Sequence, residues 1–307
     1  MGKRIVIGIL LVMVFASGLY AWHLATPQHD YLVARHGRLL IEDVKTGADA
    51  GIVDELLHLE SSSGLRVDAR VRRPDSDERL PVLLMLGGHD TGKDAVDLVG
   101  TPEGVAFVAP DYPYYADHHP DGFWASMAIV DDIQAAFLDA PPALSLILDW
   151  LLKQPWVDPE SVELIGVSLG VPFAAPAGAL DQRFSRVWLM HGGGDNVSWV
   201  SHAGREHIEN ETLRRLVART ALLLVYGNTF DTVYWIEQTA PRPVILVMAR
   251  DDDYVPPEAQ RPLIEIAARE HVEVIWTEGM HIGPERTFEL QQLLQTVLDR
   301  VDRRPYD

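Results

Sequence analysis

Gly166-Val167-Ser168-Leu169-Gly170 reads G-x-S-x-G, directly after the apolar run 162–165 and directly before a helix-like stretch that continues to about residue 179. A strand that turns sharply into a helix holds its turn residue in a strained backbone conformation and lifts that side chain clear of the sheet. Glycines on either side leave room for the close approach. Ser168 stands at the apex and is a candidate nucleophile. With Gly and Ser each near 7% usage, about one chain of this length in ten matches the bare pattern by accident. The partners of the serine therefore have to decide.

The flanking sequence is a series of short apolar runs alternating with helical-length material. Residues 53–60 and 65–72 are strand-like and separated by Ser61-Ser62-Ser63-Gly64, which predicts a hairpin. Beyond it, 81–86, 104–109, 161–165, 186–190, 244–249 and 272–276 are rich in Val, Leu, Ile and Ala, as strands buried on both faces are. Helices are predicted over 143–153, from 168 to about 179, over 257–270 and over 285–300. The expected class is α/β: a mostly parallel sheet of about eight strands covered by helices. Residues 195–240 break the alternation. Their helical periodicity predicts an insertion between two core strands, either a lid over the site or an extra packing layer.

A serine hydroxyl needs a base to take its proton and a carboxylate to orient that base. Asp251-Asp252-Asp253 follow the run 244–249, so these carboxylates emerge at the carboxyl end of the sheet, where Ser168 also sits. His281 follows the last predicted strand and reaches the same edge. The chain order is serine, carboxylate, histidine.

On these residues the chain resembles the α/β-hydrolase superfamily over about 53–300, and within it the dienelactone hydrolase and prolyl oligopeptidase-like branch. The resemblance implies an α/β-hydrolase fold and a Ser168, Asp252, His281 triad. Asp252 is favoured because Asp252-Asp253-Tyr254-Val255-Pro256 matches the D-x-x-V-P pattern in which the acid of those relatives stands four residues before a Pro, and Asp251 is the runner-up. It also implies two backbone donors for an oxyanion. One is the N–H of Leu169. The other comes from Leu86-Gly87-Gly88-His89, at His89 with Gly88 next, although Leu86 stands where relatives often carry His.

Other histidine clusters read differently. His191-Gly192-Gly193-Gly194 resembles a lipase oxyanion loop, yet it follows the nucleophile instead of preceding it, so its glycines are expected to form a flexible exit into the insertion. His118-His119-Pro120-Asp121, and His202 with His207, lack the spacing that places two metal ligands on one helix face. No dinucleotide or phosphate loop follows a first strand, so no cofactor or metal is expected. Asp111-Tyr112-Pro113-Tyr114-Tyr115 follows the run 104–109, and its aromatics are expected either to line a substrate pocket or to cover the sheet edge.

The 307 residues are 47% hydrophobic and 23% charged, an ordinary globular composition. With 26 Lys+Arg against 45 Asp+Glu, the formal net charge of −19 disfavours nucleic acid as a partner. The absence of cysteine excludes disulfides and a thiol nucleophile. Lys3 and Arg4 precede an uncharged apolar run, 5–22, near the lower limit for spanning a bilayer. Residues 1–23 are thus expected to be a signal peptide, cleaved near Ala16-Ser17-Gly18, or a membrane anchor with Tyr20 and Trp22 at the interface. The positive-inside rule then puts the domain outside the cytoplasm. Residues 24–50 read as a tether and 51–307 as the catalytic domain. The expected function is hydrolysis of a small-molecule carboxylic ester. A peptidase or acyltransferase with the same triad, and a non-catalytic binding protein, are the alternatives.

Overall fold

A strand buried along its whole length needs cover on both faces. Val244–Ala249 is such a strand, with all 6 residues buried. The computed structural model describes residues 2–88, 91–100, 104–114, 129–283 and 285–301, with backbone alone for 2–12 and 287. Nine strands form one sheet in the order β1-β2-β3-β5-β4-β6-β7-β8-β9. They are β1 (Leu39–Asp49), β2 (Ile52–Ser61), β3 (Arg66–Pro74), β4 (Leu80–Leu86), β5 (Ala106–Pro110), β6 (Val157–Val167), β7 (Arg186–Met190), β8 (Val244–Ala249) and β9 (Val272–Thr277). The first three run antiparallel to their neighbours, and β4 to β9 are parallel.

Because side chains alternate across a strand, each central strand feeds two cores. Val82, Leu84, Leu164, Leu189 and Leu246 belong to one core, together with residues of helices α4 (Val130–Leu151) and α5 (Val171–Leu180). Leu83, Phe107, Ile165, Trp188 and Val247 belong to the other, covered by α3 (Ala95–Val99) and α10 (Thr287–Val301). The remaining helices are α1 (Gly2–Ala25), α2 (His29–His36), α6 (Asn196–Ala203), α7 (Glu211–Leu224), α8 (Thr232–Thr239) and α9 (Pro257–Ile266).

Two stretches differ from the sequence reading. Within the expected tether, residues 29–36 form α2 and 39–49 form β1, which brings the sheet to nine strands. Most β1 side chains are exposed, so this edge strand carries no alternating apolar pattern to announce it. Its turn into β2 is Ala50-Gly51, both at positive φ (50° and 80°), between the paired residues Asp49 and Ile52. That is the backbone of a tight hairpin turn matched to strand twist. Helix α4 begins at Val130, well before 143, and runs through Pro141 and Pro142. Both prolines are buried with the residues around them, and packing outweighs the ~3 kcal/mol that an interior proline costs a helix.

The insertion contains α6, α7 and α8, each opened by a side chain that accepts backbone N–H groups: Asp195, Asn210 and Asp231. Trp235 and Ile236 of α8 join the main core, whereas α7 buries only Ala218. The amino-terminal segment packs on this insertion. Asn228 Nδ2 donates to the Ala25 carbonyl at 2.8 Å, Gln28 N donates to Thr229 Oγ1 at 3.0 Å, and His29 stacks on Tyr234 at 5.0 Å. Among the described residues, no helix is long and apolar enough to cross a membrane.

Candidate active site

Ser168 directly follows β6 at φ +52°, a left-handed conformation that costs a non-glycine residue of order 1–3 kcal/mol. The turn has no space for larger neighbours. A Cβ on Gly170 would lie 2.1 Å from the Leu86 carbonyl oxygen, and one on Gly166 would lie 2.6 Å from the Ala174 Cβ. The glycines thus let the turn press against the end of β4.

His281 and Asp252 reach Ser168 from the loops after β9 and β8. Ser168 Oγ lies 2.8 Å from His281 Nε2, and His281 Nδ1 lies 3.0 and 3.1 Å from the two carboxylate oxygens of Asp252. Asp252 Oδ1 also accepts the N–H groups of Tyr254 (2.9 Å) and Val255 (2.7 Å), and the Asp252 side chain is 1% exposed. A carboxylate held in this way fixes Nδ1–H as the donor, leaving Nε2 as an acceptor for the serine proton.

Three neighbouring acids have three different environments. Asp251 is exposed. Asp253 pairs with Arg286 at 3.0 and 3.1 Å and accepts the backbone N–H of His281 at 3.2 Å. The guanidinium holds the Asp253 carboxyl well below the usual carboxylate range. Asp253 therefore ties down the loop that carries His281.

Sequence reasoning met His191 only as the start of a glycine-rich stretch and missed its contact with the His281 loop. His191 follows β7 at the same sheet edge, at φ +52°, and is 2% exposed. Its Nδ1 accepts the N–H of Ile282 at 3.0 Å, and its ring centroid is 5.6 Å from that of His281. Since Nδ1 accepts, Nε2 carries the ring proton and faces Thr277 Oγ1 at 3.4 Å. Burial, reinforced by His281, pushes His191 down to about 4. The only sequence signal was its place after a parallel strand.

The glycines after His191 are not a flexible exit. A Cβ on Gly192 would lie 2.5 Å from Val171, one on Gly193 would lie 3.2 Å from Trp199, and one on Gly194 would lie 3.1 Å from Leu263. They are spacers for close packing. His191, Asp252 and His281 also hold metal-type ligand atoms within 4.8 Å of one another. Both His281 nitrogens and His191 Nδ1 are already hydrogen-bonded, so this donor set does not fit a cation.

Gly87 and Gly88 follow β4 beside Ser168, whereas His89 lies outside the described residues. The Tyr112 hydroxyl donates to the Gly87 carbonyl at 2.8 Å, while its ring packs edge-on against Phe173. Burial raises the phenol above its ordinary range, so it remains a donor. The Asp111 Oδ1 accepts Lys93 N–H at 2.9 Å. The residues after β5 thus brace the loop after β4. Tyr115 and 118–121 lie outside the described residues. His202 lies 3.3 Å from the Asp253 carbonyl by its Nε2, and His207 is exposed.

Two cavities meet at Ser168. One, of about 500 Å³, is roofed by the insertion and lined by Trp199, Val200, Leu222, Phe230, Tyr254, His281 and Arg286 among others. The second, of about 160 Å³, lies on the opposite side, between the sheet and helices α3 and α10.

No protein-family model matches the chain, and no curated protein matches it in sequence. Solved structures do resemble it. The acetyl xylan esterase from Paenibacillus sp. R4 superposes with a TM-score of 0.62 at 16% identity, over 87% of this chain and 92% of the other. Acetyl xylan esterase 1 from Thermoanaerobacterium sp. JW/SL YS485 gives 0.62 at 14% identity, over 89% and 94%. The α/β hydrolase GrgF from Penicillium sp. sh18 gives 0.57 at 16% identity, over 81% and 98%. At such identities a likeness speaks for architecture and not for chemistry. Together with the sheet order and the placement of Ser168, Asp252 and His281 at its carboxyl edge, it establishes that this chain has the α/β-hydrolase fold.

Proposed function

We propose that the protein is a serine hydrolase that cleaves carboxylic esters through an acyl-enzyme. The observation that carries this reading is the unbroken chain of contacts from Ser168 Oγ through His281 to Asp252. Esterases among its structural neighbours support it. In the first step Ser168 Oγ bonds to the carbonyl carbon while its proton passes to His281 Nε2, and the carbonyl electron pair moves onto oxygen. The N–H of Leu169 and an amide of the loop after β4 receive that oxyanion. The bond from carbon to the alcohol oxygen then breaks, and His281 returns the proton to the leaving oxygen. Water, deprotonated by His281, repeats the sequence and releases the acid.

Turnover of p-nitrophenyl esters by the wild type, abolished in Ser168→Ala, is the expected result. Full turnover in that variant would refute the assignment.

We further propose that α1 holds this domain at the outer face of a membrane, or is removed after export. Lys3 and Arg4 precede the apolar run, and Tyr20 and Trp22 are exposed on the helix. Fractionation of cells expressing the full chain tests this: the protein should be found with membranes or outside the cell. Recovery in the cytosolic fraction would contradict it.

A further inference from the structure

The two cavities differ in how they sit about the reacting atoms, and this assigns the two halves of the substrate. The inference rests on the ester-hydrolase reading above. In the tetrahedral intermediate the carbonyl carbon carries four groups: Ser168 Oγ, the oxyanion, the alcohol oxygen and the acyl chain. The alcohol oxygen must take a proton from His281, so the alcohol occupies the cavity that His281 lines, the one of about 500 Å³ beneath the insertion. The acyl chain is left with the other.

That second cavity is lined by Ser168 and by Gly87 and Gly88 of the loop after β4, and His281 is not among its lining residues. Its walls include Met85, Val99, Phe107, Ile165, Leu294 and Val297. Among the described lining residues only Thr91 and Ser168 carry a polar side chain. Its volume is about 160 Å³. An apolar cavity of ~150 Å³ stays dry and accommodates the six carbons of benzene. A carboxylate, sugar or ammonium group placed there would lose its hydration with nothing to replace it. We propose that this cavity is an acyl-chain site, and that the preferred substrates are esters of straight-chain fatty acids of about six carbons with a larger alcohol.

The test is a p-nitrophenyl ester series from acetyl to dodecanoyl, run on the wild type, Val297→Phe and Leu294→Ala, with circular dichroism confirming that each is folded. A second series holds the acetyl group and lengthens the alcohol. In the wild type kcat/KM should climb about fourfold per methylene, the equivalent of ~0.8 kcal/mol of burial, and stop climbing near hexanoyl. Val297→Phe, which fills the cavity, should lower the hexanoyl-to-acetyl ratio at least tenfold. Leu294→Ala, which enlarges it, should move the optimum to longer acyl chains, so the prediction stands even where the Phe variant does not fold. A wild-type preference for acetyl, or an optimum that neither substitution moves, would overturn the acyl site while leaving ester hydrolysis intact. Variants that change the dependence on alcohol length instead would overturn the assignment of the two cavities. If the folded wild type turns over no ester at all, both readings fail.

Discussion

His191 Nδ1 accepts the backbone N–H of Ile282 at 3.0 Å, one residue past His281, so a buried imidazole that does not touch Ser168 or Asp252 by hydrogen bond anchors the loop that carries His281. Asp253 anchors the same loop from the other side, through the N–H of His281 and through Arg286. A base within hydrogen-bond reach of its serine is only as well placed as the backbone beneath it, since small misplacements in such sites are costly in rate.

Removing the acceptor should therefore loosen His281. In His191→Phe, kcat is expected to fall on the order of tenfold to a hundredfold with KM little altered. His191→Gln, which keeps a side-chain acceptor, should recover part of the loss. Steady-state kinetics on one ester would check both. Equal activity in wild type and His191→Phe would remove this role.

The same residue makes stability depend on pH. His191 is pushed down to about 4 in the folded protein, whereas a free histidine titrates near ~6.5. Between those values the unfolded chain binds a proton that the folded chain does not, so stability falls as pH falls from ~6.5 towards 4. Thermal midpoints measured across that window should decline by a few degrees more in the wild type than in His191→Gln. Parallel declines would show that another group is responsible.

Asp252 and Asp251 should separate cleanly. Asp252→Asn retains the shape but permits the wrong imidazole tautomer, and kcat is expected to drop by about 10³ to 10⁴. Asp251 is exposed, and Asp251→Asn should leave kcat within about twofold. Comparing kcat for the two purified variants decides between them, and a reversed order would make Asp251 the orienting carboxylate.

Of two glycines near Ser168, one should be sensitive to alanine and the other indifferent. Gly170→Ala places a methyl 2.1 Å from the Leu86 carbonyl oxygen and should destabilise the fold by at least ~2 kcal/mol. A Cβ on Gly88 meets nothing within 4 Å, and Gly88→Ala should melt within a degree or two of the wild type. Melting curves for both, side by side, provide the check.

Much of this site was legible because its chemistry lies at strand ends, and parallel strands buried on both faces announce themselves as apolar runs. Arg186–Met190 and Val244–Ala249 have the bounds expected from sequence. Ser168, Asp252 and His281 each follow such a run, and their convergence comes from the sheet order. What escaped was whatever leaves no local pattern. Strand β1 is an exposed edge, held by backbone pairing with β2 that composition does not encode. The anchoring of Ile282 by His191 joins residues 91 positions apart, and its glycine neighbours imitate a flexible loop while serving as spacers. Tyr112, expected to line a pocket or cover an edge, packs against the core and also braces the Gly87 carbonyl, a contact that exists only once β5 lies beside β4.

The central claim is that Ser168 is a nucleophile activated by His281. Reaction of the purified protein with a fluorophosphonate, followed by peptide mass spectrometry, addresses it most directly. A single phosphonyl adduct on Ser168, absent from Ser168→Ala and formed at least a hundredfold more slowly in His281→Ala, is the predicted result. A folded wild-type protein that stays unlabelled, or an adduct on a different residue, would contradict it.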